Sequence, residues 1–212
     1  MPRYELRTQH PAASAEALQQ RLAAHLGDGT PTRAADIYVF TPGMLDTNVK
    51  LRQGRLDVKE LIALSGSLEQ WRALDGADFP LTPGWLQYLS TRCGFPRVVS
   101  ASPTVGGFLD AAERSHEVLV AHVHKERHHF QQEGLSAEVT TGHINGASVA
   151  FLVLESEIPE RVMEVARQLR IENLENVSLP RFLQRLFGVL PLPPGDPARA
   201  DGQALGDPST AR

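Results

Sequence analysis

Basic residues alternate with apolar ones in three short stretches: Asn48-Val49-Lys50-Leu51-Arg52, Leu56-Asp57-Val58-Lys59 and Val123-His124-Lys125-Glu126-Arg127. In a strand, alternate side chains point to opposite faces of the sheet. Lys50 and Arg52 then share one face, and so do Lys125 and Arg127. A surface strand usually mixes its charges. A cationic face repeated on successive strands is the pattern of a groove or tunnel that holds an anion, and a phosphate-rich one suits it best. The competing reading is a set of solvated strand faces on an open sheet.

Such residues need strands to position them. Arg3 to Arg7 alternates, with Tyr4 and Leu6 on one face and Arg3, Glu5 and Arg7 on the other. The patterning predicts further strands over Ala35–Phe40, Asn48–Arg52, Arg55–Leu64, Val118–Gln131, Leu135–Thr141 and Ala147–Glu157. Thr41-Pro42-Gly43 and Gln53-Gly54 read as turns, and 142–146 as another. Ser14–Leu26 reads as a helix capped by Ser14 and ended by Gly27. Ser67–Leu74 and Pro83–Cys93 also look helical, the second with Thr82 as cap and Pro83 in its first turn. Pro96–Val105 is ambiguous, with a short strand as one reading. Pro159–Leu169 is amphipathic, and Ser178 starts a last helix through Phe187. Strands, then helices, then strands with terminal helices favour an α+β fold with a mainly antiparallel sheet.

Composition bounds the rest. The chain has 212 residues, 42% hydrophobic and 22% charged, which is enough for one sizeable core. The formal net charge of -4 argues against a dedicated nucleic-acid binder. A basic pocket inside an acidic shell is compatible with it. Cys93 is the only cysteine, so neither an internal disulfide nor a cysteine zinc site can form. The first residues lack the apolar core of a signal peptide, and the longest apolar run, Ala147–Leu154, is too short to span a bilayer. No membrane association and a cytoplasmic location are the default expectations. Residues 1–189 read as a single domain. Residues 190–212 are rich in Pro, Gly, Ala and Asp and are expected to form a disordered tail.

In these residues the chain resembles the CYTH family, the triphosphate tunnel metalloenzymes. The resemblance runs from about Tyr4 to Leu186. It is carried by Lys50-x-Arg52 and Lys59, then Lys125-Glu126-Arg127, Glu138 and Leu154-Glu155-Ser156-Glu157, and by Asn176-Val177-Ser178 before the last helix. It implies an eight-stranded antiparallel β-barrel forming a tunnel with flanking helices. It further implies binding, and hydrolysis or cyclisation, of a triphosphate with Mg²⁺ or Mn²⁺. Arg7, Lys50, Arg52, Lys59, Lys125 and Arg127 would clamp the phosphates, the arginines with paired contacts. Glu5, Glu138, Glu155 and Glu157 would form the metal set, oxygen ligands being what a hard cation takes. Glu138 and Glu155 would serve catalysis. Glu157, just before a helix, also reads as an acid complementing the helix dipole.

One departure matters. The family's first strand reads Glu-x-Glu-x-Lys; here it is Arg3-Tyr4-Glu5-Leu6-Arg7. Arg3 puts a positive charge where the family has a metal-binding one. Two functions therefore stand beside each other: a metal-dependent triphosphate hydrolase and a polyphosphate-binding module without efficient catalysis. The ligand would be a triphosphate, a polyphosphate or a nucleoside triphosphate. A third, remote reading uses His122, His124, His128 and His129 as a transition-metal cluster. All but His129 alternate away from Lys125 and Arg127, and polar packing is the plainer role. Asp57 reads as an ion-pair partner on the face of Lys59. Trp71, Trp85 and Tyr88 read as packing anchors on helices, and Cys93 as buried.

Overall fold

Eight antiparallel strands close into a barrel in this computed structural model, which describes residues 2–191. The tail expected over residues 190–212 lies outside the described residues from 192 onward. The strands are β1 (Arg3–Pro11), β2 (Thr30–Phe40), β3 (Thr47–Arg52), β4 (Arg55–Ser65), β5 (Leu68–Ala73), β6 (Leu119–Gln132), β7 (Leu135–Ile144) and β8 (Ala147–Ser156). Around the barrel they run β1-β5-β4-β3-β2-β6-β7-β8. The helices are α1 (Ala15–Leu26), α2 (Pro83–Thr91), α3 (Arg97–Ser100), α4 (Val105–Arg114), α5 (Pro159–Gln168) and α6 (Leu179–Leu186). The α+β barrel with flanking helices is the fold the resemblance implied. Among the described residues no helix is long and apolar enough to cross a membrane.

Tight turns set the register. Gln53 and Gly54 both take positive φ, 50° and 79°, the left-handed pair that a two-residue hairpin needs. Asn145 and Gly146 do the same at the β7–β8 turn. That turn is shorter than the 142–146 segment expected, because Gly142, His143 and Ile144 continue the ladder opposite Val149, Ser148 and Ala147.

Three further expectations need correction. Ser67–Leu74 is a strand, not a helix. Its Leu, Glu, Gln and Ala favour a helix intrinsically, but β1 and β4 each leave an edge that β5 fills, and closure of the barrel outweighs propensity. Trp71 accordingly sits on a strand. Pro96–Val105 contains the short helix α3, not a strand, and α4 follows it unforeseen. Thr104 caps α4 by accepting a hydrogen bond from the Gly107 backbone N–H at 3.1 Å. Ser14 starts α1 without a side-chain cap, because it belongs to a preceding 3-10 turn with helical φ and ψ.

The outward faces of the strands form two apolar layers. Helices α2–α4 and the α2–α3 loop lay Leu89, Phe95, Val99 and Phe108 against Val49, Leu51, Leu56 and Val58 of β3 and β4. Helices α1 and α5 cover Leu6, Val139, Leu152 and Leu154 of β1, β7 and β8 with Leu18, Leu22, Val162 and Leu169. With both outer faces covered, the inward faces are left free for polar side chains.

The last segment completes the barrel from within. β1 pairs with β5 only as far as Glu5. There Asn176 takes over: its Oδ1 accepts from Arg7 N–H at 2.9 Å, and its Nδ2 donates to the carbonyls of Glu5 and Ser67. Helix α6 then closes one end of the tunnel. Leu179 lines the interior, and Phe182 meets the inward Phe151 edge-on at 5.0 Å. Gln184, fully buried, latches α6 to the β2–β3 turn by accepting from Gly43 N–H and donating to the carbonyls of Thr41 and Met44. Gln184→Ala leaves those backbone groups without their partner and is expected to cost roughly 1–3 kcal/mol in urea denaturation. An unchanged midpoint would show that α6 is not held there.

Candidate functional site

The inward faces of four strands bring the cations together. Arg7 comes from β1, Lys50 and Arg52 from β3, Lys59 from β4, and Lys125 and Arg127 from β6, all around one cavity of about 190 Å³. Glu138 of β7 and Glu155 of β8 line the same cavity. Period-two alternation is what achieves this: in a closed barrel, one face of every strand points at the axis.

Asp36 and Tyr38 stand at the centre of the cationic wall, and neither figured among the expected site residues. The Asp36 side chain is wholly shielded from solvent. It accepts from Arg52 Nε and Nη2 at 2.7 and 2.9 Å and from Lys125 Nζ at 2.8 Å. Arg127 Nη2 lies 3.5 Å from it, and the Tyr38 hydroxyl donates to it at 3.3 Å. Lys125 also donates to the Tyr38 hydroxyl. The sequence does carry a signal for Asp36: it is an unpaired charge inside the otherwise apolar run Ala35–Phe40. Burial alone would raise the Asp36 pKa, but Arg52 and Lys125 hold it well below the usual carboxylate range.

The lysines are displaced in the other direction. Burial, with Arg127 and Lys50 nearby, brings Lys125 down to about 7 although Asp36 opposes the shift. Burial and Arg52 bring Lys50 down to about 8. Lys50 also stands 3.9 Å from Asp57, which makes Asp57 the ion-pair partner expected, with Lys50 as its partner. Both lysines are therefore held in their charged form less firmly than an exposed lysine is.

The carboxylates gather on the opposite side. Glu5 and Glu155 face each other in register on β1 and β8. Glu5 is buried, and Arg7 Nε donates to it at 3.0 Å. Against the effect of burial, Arg7 and Lys59 lower the Glu5 pKa; burial and the Glu5 charge together raise that of Glu155. Glu155 is 3.9 Å from both Lys59 and Arg3. Glu138 accepts from the Thr140 hydroxyl and lies 3.4 Å from His129 and 3.9 Å from Arg127 Nε. That Arg127 Nε is buried and has no hydrogen-bond partner.

Other candidates lie elsewhere. Glu157 follows the end of β8, is exposed, and borders a separate cavity at the rim with Arg3. Glu155 lines this rim cavity as well as the tunnel, whereas Glu157, past the end of β8 at Ser156, does not line the tunnel. Arg3 is on the inward side but half exposed. His122 and His124 point outward, and among the described residues no three His, Cys, Asp or Glu side chains converge on a metal site. Tyr88 packs outside the barrel, its hydroxyl donating to Glu60 at 2.8 Å. Cys93 is buried and free, as expected.

The sequence matches no protein-family model and no curated protein. The fold is similar to that of solved structures. One is the capping-enzyme triphosphatase of Mimivirus, at 9% identity over 80% of this chain and 89% of that one, with a TM-score of 0.48. Another is a putative adenylate cyclase from Bacillus halodurans, at 10% identity over 92% and 95%, TM-score 0.42. A third is a conserved hypothetical protein from Pyrococcus furiosus, at 15% identity over 84% and 97%, TM-score 0.48. These likenesses are loose and concern the course of the chain.

Proposed function

We propose that the protein binds a linear triphosphate in this tunnel. The observation that carries the reading is the convergence of six cationic side chains on one cavity, one of them with a buried N–H donor left over for a ligand. Phosphate oxygens are acceptors only and suit that surplus. Size points the same way. A cavity of about 190 Å³ is smaller than the roughly 300–1,000 Å³ of drug-sized sites. It takes a phosphate chain and leaves a nucleoside outside, which favours inorganic triphosphate.

A divalent cation fits on the carboxylate side. Glu5 and Glu155 are two facing carboxylates, and the second is disfavoured as an anion by the first. Mg²⁺ on a phosphate substrate is usually held by one or two carboxylates together with phosphate oxygens. Glu5 and Glu155 would hold Mg²⁺ or Mn²⁺ in this way, with Glu138 elsewhere on the same cavity wall. When bound, the ion would polarise a phosphoryl group and position water for its hydrolysis. The chain's own cations would orient the phosphates and neutralise their charge. Arg3, beside Glu155, weighs against the ion, and it favours the second reading of a phosphate-binding module with weak or no hydrolysis.

Calorimetric titration with inorganic triphosphate, with and without Mg²⁺ or Mn²⁺, together with phosphate release, tests both readings. Binding without turnover supports the second. No binding under any condition rejects the tunnel as a phosphate site.

The pH dependence has a definite sign. Bound phosphate favours the charged form of Lys125 and Lys50, which their surroundings in the protein bring down to about 7 and about 8. After allowance for the triphosphate's own ionisation, the protein's contribution to affinity is full only well below about pH 7 and falls as the pH rises through these values, by up to about tenfold per unit for each proton taken up. Titrations from pH 6 to 9 check this; an affinity that rises over that range contradicts it.

A further inference from the structure

We propose that Asp36 sets the working charge of the tunnel: its buried carboxylate favours the ammonium form of Lys125 and holds Arg52 and Arg127 in place for the phosphate chain. The proposal rests on the reading of the tunnel as a phosphate site and assigns Asp36 a positioning role within it.

The geometry is that of a counter-anion set behind a cationic wall. Asp36 has no solvent of its own, and its contacts in the structure are Arg52, Lys125, Arg127 and Tyr38. It takes only part of what these groups can donate. Arg52 uses Nε and Nη2 and keeps Nη1. Lys125 has three N–H bonds, of which one goes to Asp36 and one to the Tyr38 hydroxyl. Arg52, Lys125 and Arg127 all still line the cavity, whereas Asp36 lies behind them. A ligand meets the free donors of cations whose other donors are already anchored.

Charge makes the role necessary. Lys125 is faced by Lys50 and Arg52 from β3, by Arg127 on its own strand, and by Asp36 and Tyr38 from β2. Asp36 is the anion in contact with it. Arginine cannot shed its proton in a protein, but a crowded, buried lysine can. Remove the Asp36 charge, and Lys125 is the group that relieves the crowding by becoming neutral. The tunnel would then carry less positive charge at neutral pH and take up more proton each time a phosphate chain entered.

The test compares the natural protein with Asp36→Asn, which keeps size and one acceptor but removes the charge. Inorganic triphosphate is titrated calorimetrically from pH 5.5 to 8.5, in buffers of differing ionisation heat so that proton uptake is measured too. The expected result is a pH profile moved at least one unit to the acid side. Affinity should be about tenfold weaker at pH 7.5 and nearly equal at pH 5.5, with more protons taken up at pH 7. A profile displaced by the same factor at every pH, with unchanged proton uptake, would mean that Asp36 is merely structural. If Asp36→Asn does not fold, Lys125→Arg decides: a permanently charged side chain should remove the step near pH 7 and leave the one near pH 8. Persistence of the lower step overturns the proposal. Absence of triphosphate binding by the natural protein would instead reject the tunnel reading on which it rests.

Discussion

Arg127→Ala is expected to weaken the binding of inorganic triphosphate by roughly 1.5–3 kcal/mol, the scale of a charge-assisted hydrogen bond. Two features make Arg127 the most informative position. Its Nε is buried with no partner, so a ligand oxygen would gain a donor already stripped of water. Its guanidinium also stands between Asp36 and Glu138, at 3.5 and 3.9 Å, and links the cationic wall to the carboxylate side. Truncation takes away the donor and leaves both acids nearer to uncompensated, and each effect disfavours an incoming polyanion. Arg52→Ala should fall in the same range, because it removes the paired contact to Asp36 along with a tunnel cation. Calorimetry on both variants is the check. Unchanged affinity in both places the phosphate site somewhere else.

Arg3→Glu is expected to strengthen Mn²⁺ or Mg²⁺ binding in the presence of triphosphate by about tenfold or more, and to raise phosphate release. Arg3 Nη1 lies 3.9 Å from the Glu155 carboxylate and so competes with a divalent ion for it. At about 6 Å, the repulsion of +1 on +2 runs from about 1 kcal/mol in water to about 5 kcal/mol at an effective dielectric of 20. Arg3 is half exposed and can swing away, which puts the effect toward the lower end. The control is Arg3→Glu combined with Glu155→Gln, which should lose the gain. Equal metal affinity and turnover in the natural protein and Arg3→Glu would show that the ion, if used, is held away from the rim.

Much of the site was legible in the chain because strand alternation is a local property. Lys50 with Arg52, and Lys125 with Arg127, had to share a face once their segments were strands, and each pair lines the tunnel. Arg7, Lys59, Glu138 and Glu155 followed from the same alternation together with the family resemblance. Other features were hidden for identifiable reasons. Ser67–Leu74 has helical composition, and only the need of β1 and β4 for a partner makes it β5. Glu157 is two residues from Glu155, yet the strand stops between them and Glu157 borders the rim cavity but not the tunnel, because alternation does not fix a strand end to within one residue.

Asp36 marks the boundary between the two kinds of knowledge. By itself the sequence determined which residues alternate, which turns can hold left-handed backbone, and that basic faces recur on β3, β4 and β6. It could not determine that a lone aspartate on β2 would lie beside a lysine and an arginine from β6 and an arginine from β3. Those contacts join residues 16 to 91 positions apart, and they exist because the barrel closes and turns each strand's inner face toward one axis. Closure also shields the Asp36 carboxylate from solvent. In the low dielectric that remains, the pairings decide which groups stay charged, and so the tertiary structure, not the order of residues, decides the chemistry of the tunnel.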